Sequence, residues 1–243
     1  MIHYMYTTFW WATQDGGPIL RPMWFEFPDE TDLYTMDTQF MFGESMLVAP
    51  KISPPGPLSV WQEQEVNFYL PKSATWYNYY TKQVEETTGT YVNRNLTDLE
   101  QAVFVRGGAV LPILLHENCT ALTNCFFGKI RLEVYMDGAG HATGHLYLDD
   151  GETMDYKDPD STADVRTDVD NNGMRSYRTW GSKYEIPHSQ VVEEIAVYGM
   201  AKEPKAVSQH GAPVKHFTFE DGVLKIEMPG GVSPESVDIK FQY

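Results

Sequence analysis

The sequence predicts a mainly β protein whose helical structure is confined to the region before Pro50. Beyond that residue, short apolar segments alternate with turn residues, a pattern typical of antiparallel β-sandwiches. The 243 residues are 42% hydrophobic and 14% aromatic, which is sufficient for the cores of one large domain or two small ones. We therefore expect a globular chain rather than a disordered one.

The chain is strongly acidic, with a net charge of −16. Phosphate groups are bound by clustered Lys and Arg, so this charge argues against nucleic acid and anionic membranes as partners. No apolar run approaches the roughly 20 residues that span a bilayer. The pair Gly107-Gly108 precedes neither a helix nor a Gly-Lys-Ser/Thr sequence, so it predicts a turn instead of a phosphate loop, and we expect no cofactor.

The first element is predicted to be an amphipathic helix over residues 1–16. Apolar side chains recur there at helical spacing, and two glycines, Gly16 and Gly17, end the pattern. The side chains that define the apolar face are Ile2, Met5, Tyr6, Phe9 and Trp10.

The next elements are predicted to be a strand, a short helix and a second strand. Residues 18–27 are apolar and aromatic and lead into an acidic turn, which is typical of a buried strand. Asp37 as N-cap and Gly43 as the stop predict a short helix between them. Residues 46–49 predict a strand that Pro50 ends.

The remainder predicts strands joined by turns. A proline-rich turn is expected at residues 53–57 and a polar loop at residues 157–173. The predicted strands cover residues 65–70, 75–77, 90–92, 103–110, 129–136, 145–150, 191–198, 214–219, 223–228 and 237–241.

A series of fixed spacings distinguishes residues 17–50 from the rest of the chain. It contains an Arg-Pro pair, an aromatic group, an acidic Pro-Asp turn and an Asp-x-Gln sequence before a Gly-Glu and a Leu-Val. This series resembles glycoside hydrolase family 31, the α-glucosidases and their relatives. The residues that carry the resemblance are Pro18, Arg21, Pro22, Trp24, Phe27, Pro28, Asp29, Asp37, Gln39, Phe40, Gly43, Glu44, Met46, Leu47, Val48 and Pro50.

The resemblance continues through most of the chain and implies its domain organisation. The family's landmarks recur at Tyr69-Leu70-Pro71, at residues 103–112 and at residues 144–151. Residues 1–45 would then be the last helix, strand and helix of a catalytic (β/α)8 barrel. A proximal antiparallel β-sandwich over residues 46–117 and a distal one over residues 118–243 would follow.

The resemblance also implies a retaining α-glucosidase that hydrolyses terminal α-linked glucose from oligosaccharides or glycans. The family's two catalytic aspartates belong to barrel motifs that do not occur here, so we expect no catalytic residue in this chain and no activity from it alone. It would support the barrel, with the N-terminal remainder as partner, and with a regulatory subunit if the enzyme is of the glucosidase II type. The alternative is a stand-alone carbohydrate-binding or structural β-sandwich protein without catalysis.

Two cysteines and two sequons indicate the lumen of the secretory pathway, whether endoplasmic reticulum, lysosome or cell exterior. Asn95 and Asn118 each begin an Asn-x-Thr sequence that predicts N-glycosylation. Cys119 and Cys125 are close in sequence, so they either form a small disulfide loop or remain two thiols. In an oxidising compartment we expect the disulfide.

Several acidic groups offer alternatives that the sequence favours less. Asp149-Asp150-Gly151 resembles a carboxylate pair, but Asp-Gly is ordinary turn chemistry. The acidic turn after residue 28, with Asp29, Glu30 and Asp32, is interpreted as a solvated loop. We expect no metal at His141, His145 and Asp149, and we place Trp10, Trp11 and Trp24 in the core rather than against a sugar.

One further motif suggests calcium. Asp168, Asp170 and Asn172 reproduce the first half of a calcium-binding loop, and Gly173 follows them. The twelfth position is Thr179, where such a loop needs a bidentate glutamate. The sequence therefore favours a polar hairpin turn, with calcium as the weaker alternative.

Overall fold

The computed structural model describes residues 1–51, 64–97, 100–115 and 128–243, and it divides the chain into two compact units. We call Gly17–Gly107 the short unit, and Met1–Gly16 together with Gly108–Tyr243 the long unit. The elements before Gly107 are α1 (Ile2–Asp15), β1 (Leu20–Pro22), α2 (Met23–Glu26), a 3-10 turn (Thr31–Leu33), β2 (Phe40–Phe42), β3 (Met46–Ala49), β4 (Gln64–Tyr69), β5 (Trp76–Asn78), β6 (Tyr91–Leu96) and β7 (Ala102–Arg106).

The elements after Gly107 are all strands apart from a short 3-10 turn at Pro234–Ser236. They are β8 (Ala109–Leu115), β9 (Lys129–Tyr135), β10 (Ala142–Leu148), β11 (Ala163–Asp170), β12 (Gly173–Trp180), β13 (Val192–Tyr198), β14 (Ala206–Gln209), β15 (Ala212–Pro213), β16 (Phe217–Glu220), β17 (Val223–Val232) and β18 (Asp238–Gln242). None of the helices in the described ranges has the length and apolar character needed to cross a membrane.

The short unit consists of a five-stranded sheet, in the order β1-β2-β3-β7-β5, and a two-stranded sheet of β4 and β6. All of these pairs are antiparallel. Its core includes Met23, Leu47, Phe68, Trp76 and Phe104, each less than 2% exposed. Both sheets contribute to this core, so they pack as two layers.

The long unit contains α1 and one sheet of eleven strands, in the order β15-β14-β18-β12-β11-β10-β8-β9-β13-β17-β16. The pairs β8–β10 and β9–β13 are parallel and the others are antiparallel. A single apolar cluster joins Val165 and Ile239 from one half of the sheet to Ile195 and Leu224 from the other. The sheet therefore folds over one core, which gives the predicted sandwich-like, mainly β architecture.

The predicted first helix is confirmed, but its buried face differs from the prediction. α1 ends at Gly16, whose φ of 72° is left-handed and suits a glycine at a helix end. Met5 and Phe9 are 37% and 48% exposed, and the buried side chains are His3, Tyr4, Thr7 and Trp10. His3, Thr7 and Trp10 follow the i, i+4, i+7 spacing of one helix face, and Tyr4 lies next to His3.

The prediction of a buried strand at residues 18–27 is wrong for most of its length. Only Leu20–Pro22 is extended, and it pairs antiparallel with Phe40–Phe42. Pro22 then begins the single turn of α2, because a proline is tolerated at a helix start but cannot donate to a strand ladder. The apolar residues misled the prediction since several of them face outwards.

The predicted helix between Asp37 and Gly43 is also wrong. Phe40–Phe42 forms β2, which makes a hairpin with β3 through the pairs Phe40↔Val48 and Phe42↔Met46. Gly43 has a φ of 59°, so it serves the hairpin turn and not a helix end. A glycine with positive φ occurs both at helix ends and in hairpin turns, so Gly43 alone does not distinguish the two structures.

Most of the predicted strands outside these segments are found close to their expected bounds, but residues 103–110 contribute to two strands, β7 and β8. Four strands, β11, β12, β14 and β15, lie where the sequence predicted none. β11 and β12 form a hairpin across residues 163–180, within and beyond the expected polar loop. Val165 and Val169 of β11 are buried and alternate with polar residues, a period of two that was available in the sequence. The expected turn at 53–57 lies outside the described residues, and the domain limits 1–45, 46–117 and 118–243 stay a prediction.

Candidate functional site

The short unit carries an apolar surface formed by Leu20, Trp24 and Phe25, which we call the Trp24 surface. These side chains are 57%, 45% and 47% exposed, and the rings of Trp24 and Phe25 have centroids 6.0 Å apart. The prediction that Trp24 lies in the core is therefore wrong. Adjacent exposed rings such as those of Trp24 and Phe25 are typical of a place where another surface binds.

A charged cluster fixes the backbone beneath the Trp24 surface. Glu26 of α2 accepts hydrogen bonds from Arg21 and, at 3.4 Å, from Nη1 of Arg106. Arg21 Nε also donates to the carbonyl of Pro18 at 2.9 Å. The Arg106 guanidinium lies 4.9 Å from the centre of the Phe27 ring. Two cations thus neutralise one partly buried carboxylate and hold α2 in place.

The sequence predicted that the acidic turn after residue 28 is a solvated loop, but one of its three acidic side chains is buried. Asp29 and Asp32 are exposed, but Glu30 is only 8% exposed. Its carboxylate accepts hydrogen bonds from Tyr69 Oη at 3.1 Å, Ser73 Oγ at 2.8 Å and the Ser73 amide at 3.2 Å. Burial, together with the hydrogen bond to Glu30, raises the pKa of Tyr69 to about 12.

Gln39 makes a second anchor that the sequence did not reveal. Its side chain is 3% exposed, donates to the Tyr69 carbonyl at 2.7 Å and accepts from the Tyr69 amide at 2.8 Å. The Asp-x-Gln motif therefore connects residue 39 to β4 through both amide atoms. No local sequence signal could have identified this partner, which is thirty residues away.

Replacing Glu30 with alanine is expected to destabilise the chain by about 2–4 kcal/mol, because Tyr69 and Ser73 lose a buried acceptor. Urea denaturation would measure the change. The matched control is Asp32→Ala, which removes an exposed carboxylate from the same turn and should change stability by less than about 0.5 kcal/mol. Equal effects of the two substitutions would contradict the role assigned to Glu30.

In the long unit, α1 is fastened to β10 by polar and aromatic contacts. Tyr6 Oη donates to Asp149 Oδ2 at 2.7 Å, and the Tyr147 amide donates to Thr7 Oγ1 at 3.0 Å. The Trp10 ring stacks on that of Tyr147 with centroids 4.6 Å apart and an interplanar angle of 11°. Burial and the hydrogen bond to Asp149 raise the pKa of Tyr6 well above its ordinary value.

The pair Asp149 and Asp150 has structural partners, in agreement with the turn interpretation. Asp149 is 4% exposed and accepts from Tyr6 and, at 2.9 Å, from the Gly151 amide. Asp150 accepts from the amides of Glu152 and Thr153, and these hydrogen bonds hold the pKa of its carboxyl below the ordinary value. The two carboxylates therefore have separate surroundings.

Of the two histidines considered as metal ligands, His145 is engaged elsewhere. His145 Nδ1 lies 2.8 Å from Asp164 Oδ2, and its ring contacts Trp11 edge-on at 5.0 Å. His141 is exposed at the start of β10. Among the described residues, no three or more His, Cys, Asp or Glu side chains are grouped so that they could hold a metal ion.

The calcium candidate forms a hairpin turn between β11 and β12. Asp170 Oδ1 accepts hydrogen bonds from the amides of Asn172 at 2.7 Å and Gly173 at 3.0 Å. Burial would raise the pKa of the Asp168 carboxyl, but hydrogen bonds from Arg166, Tyr177 and Thr143 outweigh it and hold the pKa below its ordinary value. Calcium at this turn stays a hypothesis.

The modification sites are only partly described. Asn95 is exposed on β6, where a glycan would have access to it. Asn118, Cys119 and Cys125 lie outside the described residues. N-glycosylation at both sequons and the disulfide therefore stay predictions.

Residues 16–111 match the family description "Glycosyl hydrolase family 31 C-terminal domain". Among known proteins, the chain is 32% identical over 234 residues to the α-glucosidase of Schizosaccharomyces pombe. This alignment covers 95% of this chain and 22% of that protein. It is 31% identical over 237 residues to human neutral α-glucosidase C, covering 93% of this chain and 24% of that protein. The chain thus spans under a quarter of the length of these two relatives.

Solved structures share the fold. The glucosidase II α subunit, bound to DNJ, matches 99% of this chain and 27% of its own with a TM-score of 0.78 and 22% identity. The same figures apply to the heterodimeric complex of endoplasmic-reticulum glucosidase II, which consists of the catalytic subunit and the binding domain of the regulatory subunit. Because the sequence identity is only 22%, this likeness is evidence for the fold of the chain alone.

Proposed function

Because this chain belongs to glycoside hydrolase family 31 and matches the C-terminal portion of its α-glucosidases, we propose that it supports the catalytic barrel of a retaining α-glucosidase. The enzyme would remove terminal α-linked glucose from oligosaccharides or glycans. The observation that carries the proposal is the Trp24 surface, which lies within the matched residues and remains exposed in the chain.

The composition of this surface suits contact with a folded domain. Leu20, Trp24 and Phe25 combine a large apolar area with side chains that have few rotatable bonds, so little conformational entropy is lost when they become buried. The Arg21–Glu26–Arg106 cluster holds the backbone that presents them. In the long unit, Met5 and Phe9 form an exposed apolar pair one turn apart on α1. We propose that the remainder of the enzyme covers each of these surfaces.

The chemistry of a retaining glycosidase requires two carboxyl groups about 5 Å apart, one as nucleophile and one as acid/base. The buried acidic groups described above have other roles: Glu30 bonds to Tyr69 and Ser73, and Asp149 bonds to Tyr6. We therefore propose that both catalytic carboxyls come from the barrel and that this chain contributes none.

The remaining assignments follow from the same proposal. The enzyme would act in the lumen of the secretory pathway, where Asn95 can carry a glycan and Cys119 can pair with Cys125. A regulatory subunit would be its partner if it is of the glucosidase II type, as in the heterodimeric structure that the chain resembles.

A chimera tests the supporting role directly. This chain would replace the matching C-terminal segment of the Schizosaccharomyces pombe α-glucosidase, and hydrolysis of p-nitrophenyl α-glucoside would be measured. We expect activity from the chimera, and none from either the 243-residue chain or the truncated yeast enzyme. The same result would favour support over a stand-alone carbohydrate-binding protein.

The outcomes against the proposal are equally definite. Turnover by the 243-residue chain alone would show that catalytic groups lie within it. Full activity of the truncated yeast enzyme, or an inactive chimera that is soluble and folded, would mean that this portion does not support the barrel.

A further inference from the structure

A groove of about 730 Å³ lies in the long unit, where strands β10, β11, β12 and β18 meet two turns. One is the turn of residues 170–173, and the other follows β9 and contains Asp137. The groove belongs to none of the sites described above apart from the hairpin turn. Its charged and polar side chains include Thr143, Asp168, Asp170, Arg175, Asp238 and Lys240.

The floor of the groove consists of two rows of residues that run across the strands. In the first row, Thr143 pairs with Asp168, Asp168 with Arg175, and Arg175 with Asp238. Paired residues project from the same face of a sheet, so an acid, a base and an acid follow one another along this row.

The second row gives the groove its depth. Asp170 pairs with Gly173, and Gly173 pairs with Lys240. The middle position of this row, Gly173, has no side chain. An added Cβ there would clash with the Ile239 carbonyl oxygen, at a distance of 2.0 Å. The glycine therefore leaves a depression between an acid and a base.

The polar groups on the floor include a carboxylate that is fixed by hydrogen bonds and two exposed cations. Asp168 accepts from Thr143 Oγ1 at 2.9 Å, Arg166 Nε at 2.8 Å and Tyr177 Oη at 2.8 Å. By contrast, Arg175 and Lys240 are exposed and form no ion pair with any residue that the structure describes. The groove thus presents free donors beside fixed acceptors.

We propose that this groove is an accessory binding site for a neutral oligosaccharide of α-linked glucose. Sugar hydroxyl groups both donate and accept hydrogen bonds, so they match rows in which carboxylates and cations alternate. An anionic ligand would be repelled by the carboxylates of both rows, and a metal ion would be repelled by Arg175 and Lys240. The identity of the sugar rests on the proposed function, whereas the polarity of the ligand rests on the groove alone.

Titration of the 243-residue chain with maltoheptaose, followed by calorimetry and by backbone amide shifts, tests this site. We expect saturable binding with shifts at Thr143 and Gly173. The double variant R175A/K240A should bind at least tenfold more weakly. The matched control K215A/K225A removes two exposed positive charges elsewhere on the same unit and should bind as the unaltered chain does.

Each other outcome overturns the inference. Absence of binding, equal affinity of R175A/K240A and the unaltered chain, or equal losses in the two double variants would each do so. Binding of calcium at these residues without binding of maltoheptaose would assign the groove to a metal. If the chimera is active but the chain fails to bind maltoheptaose, this inference is refuted and the proposed function is unaffected. If the chain binds maltoheptaose but the chimera is inactive, the proposed function is refuted and the binding site remains.

Discussion

Replacing Trp24 and Phe25 with serine is expected to reduce hydrolysis by the chimera about 10- to 100-fold while the short unit keeps its stability. Both side chains are nearly half exposed, and neither belongs to the apolar core of the short unit. Against the barrel, only the exposed half of each aromatic side chain remains to be buried, so each would contribute about half of the full burial free energy, roughly 0.7–1.5 kcal/mol. Their combined loss of about 1.5–3 kcal/mol weakens the contact between the two parts about 10- to 100-fold, since each 1.4 kcal/mol is about tenfold. The measurements are kcat/KM and a urea unfolding curve.

A matched control separates this surface from exposed apolar residues in general. Tyr80 and Val84 are 56% and 47% exposed in the same unit. The double variant Y80S/V84S removes a similar area and is expected to keep its activity. The proposal would be refuted by equal losses in both double variants, or by full activity of W24S/F25S. A large drop in the stability of W24S/F25S would show that the two residues support the short unit itself.

Local patterns predicted those elements whose signals are contained in adjacent residues. β3 follows from an apolar run ended by Pro50, and the end of α1 follows from Gly16. β13, at Val192–Tyr198, combines β-branched residues with burial on both faces. In each of these cases the period of the apolar residues and the turn chemistry agree, so no distant contact is needed to choose the structure.

Errors arose where two structures share the same local signals. Gly43 fits both a helix end and a hairpin turn, and only the pairing of β2 with β3 distinguishes them. An apolar run such as residues 18–27 predicts burial, but Trp24, on α2, is 45% exposed within the short unit. Sequence patterns report how apolar a segment is and not which of its faces is covered within the same unit.

The candidate sites depend on partners that are remote in sequence. Asp149 bonds to Tyr6 across 143 residues, and Glu30 bonds to Ser73 across 43. The groove depends on the register of four strands, of which two, β11 and β12, were not predicted. Such contacts are set by strand pairing, for which a single sequence contains no direct signal.

Replacing Gly181 with alanine is expected to destabilise the long unit by about 2–5 kcal/mol. Gly181 follows β12 with a φ of +79°, and an added Cβ would lie 1.7 Å from the Thr162 carbonyl oxygen. The left-handed conformation costs an alanine about 1–2 kcal/mol. Relieving the clash requires a backbone shift, for which overpacking typically costs a further 1–3 kcal/mol. The free energy of unfolding from urea denaturation is the measurement.

Gly211→Ala is the control that isolates the clash from the backbone conformation. Gly211 has nearly the same φ, +80°, but nothing lies within 4 Å of its added Cβ. We therefore expect Gly211→Ala to cost only the conformational part, about 1–2 kcal/mol. The difference between the two variants measures how closely β12 approaches the segment before β11. Equal costs would mean that this approach is looser than the structure indicates, since conformation alone would then account for both.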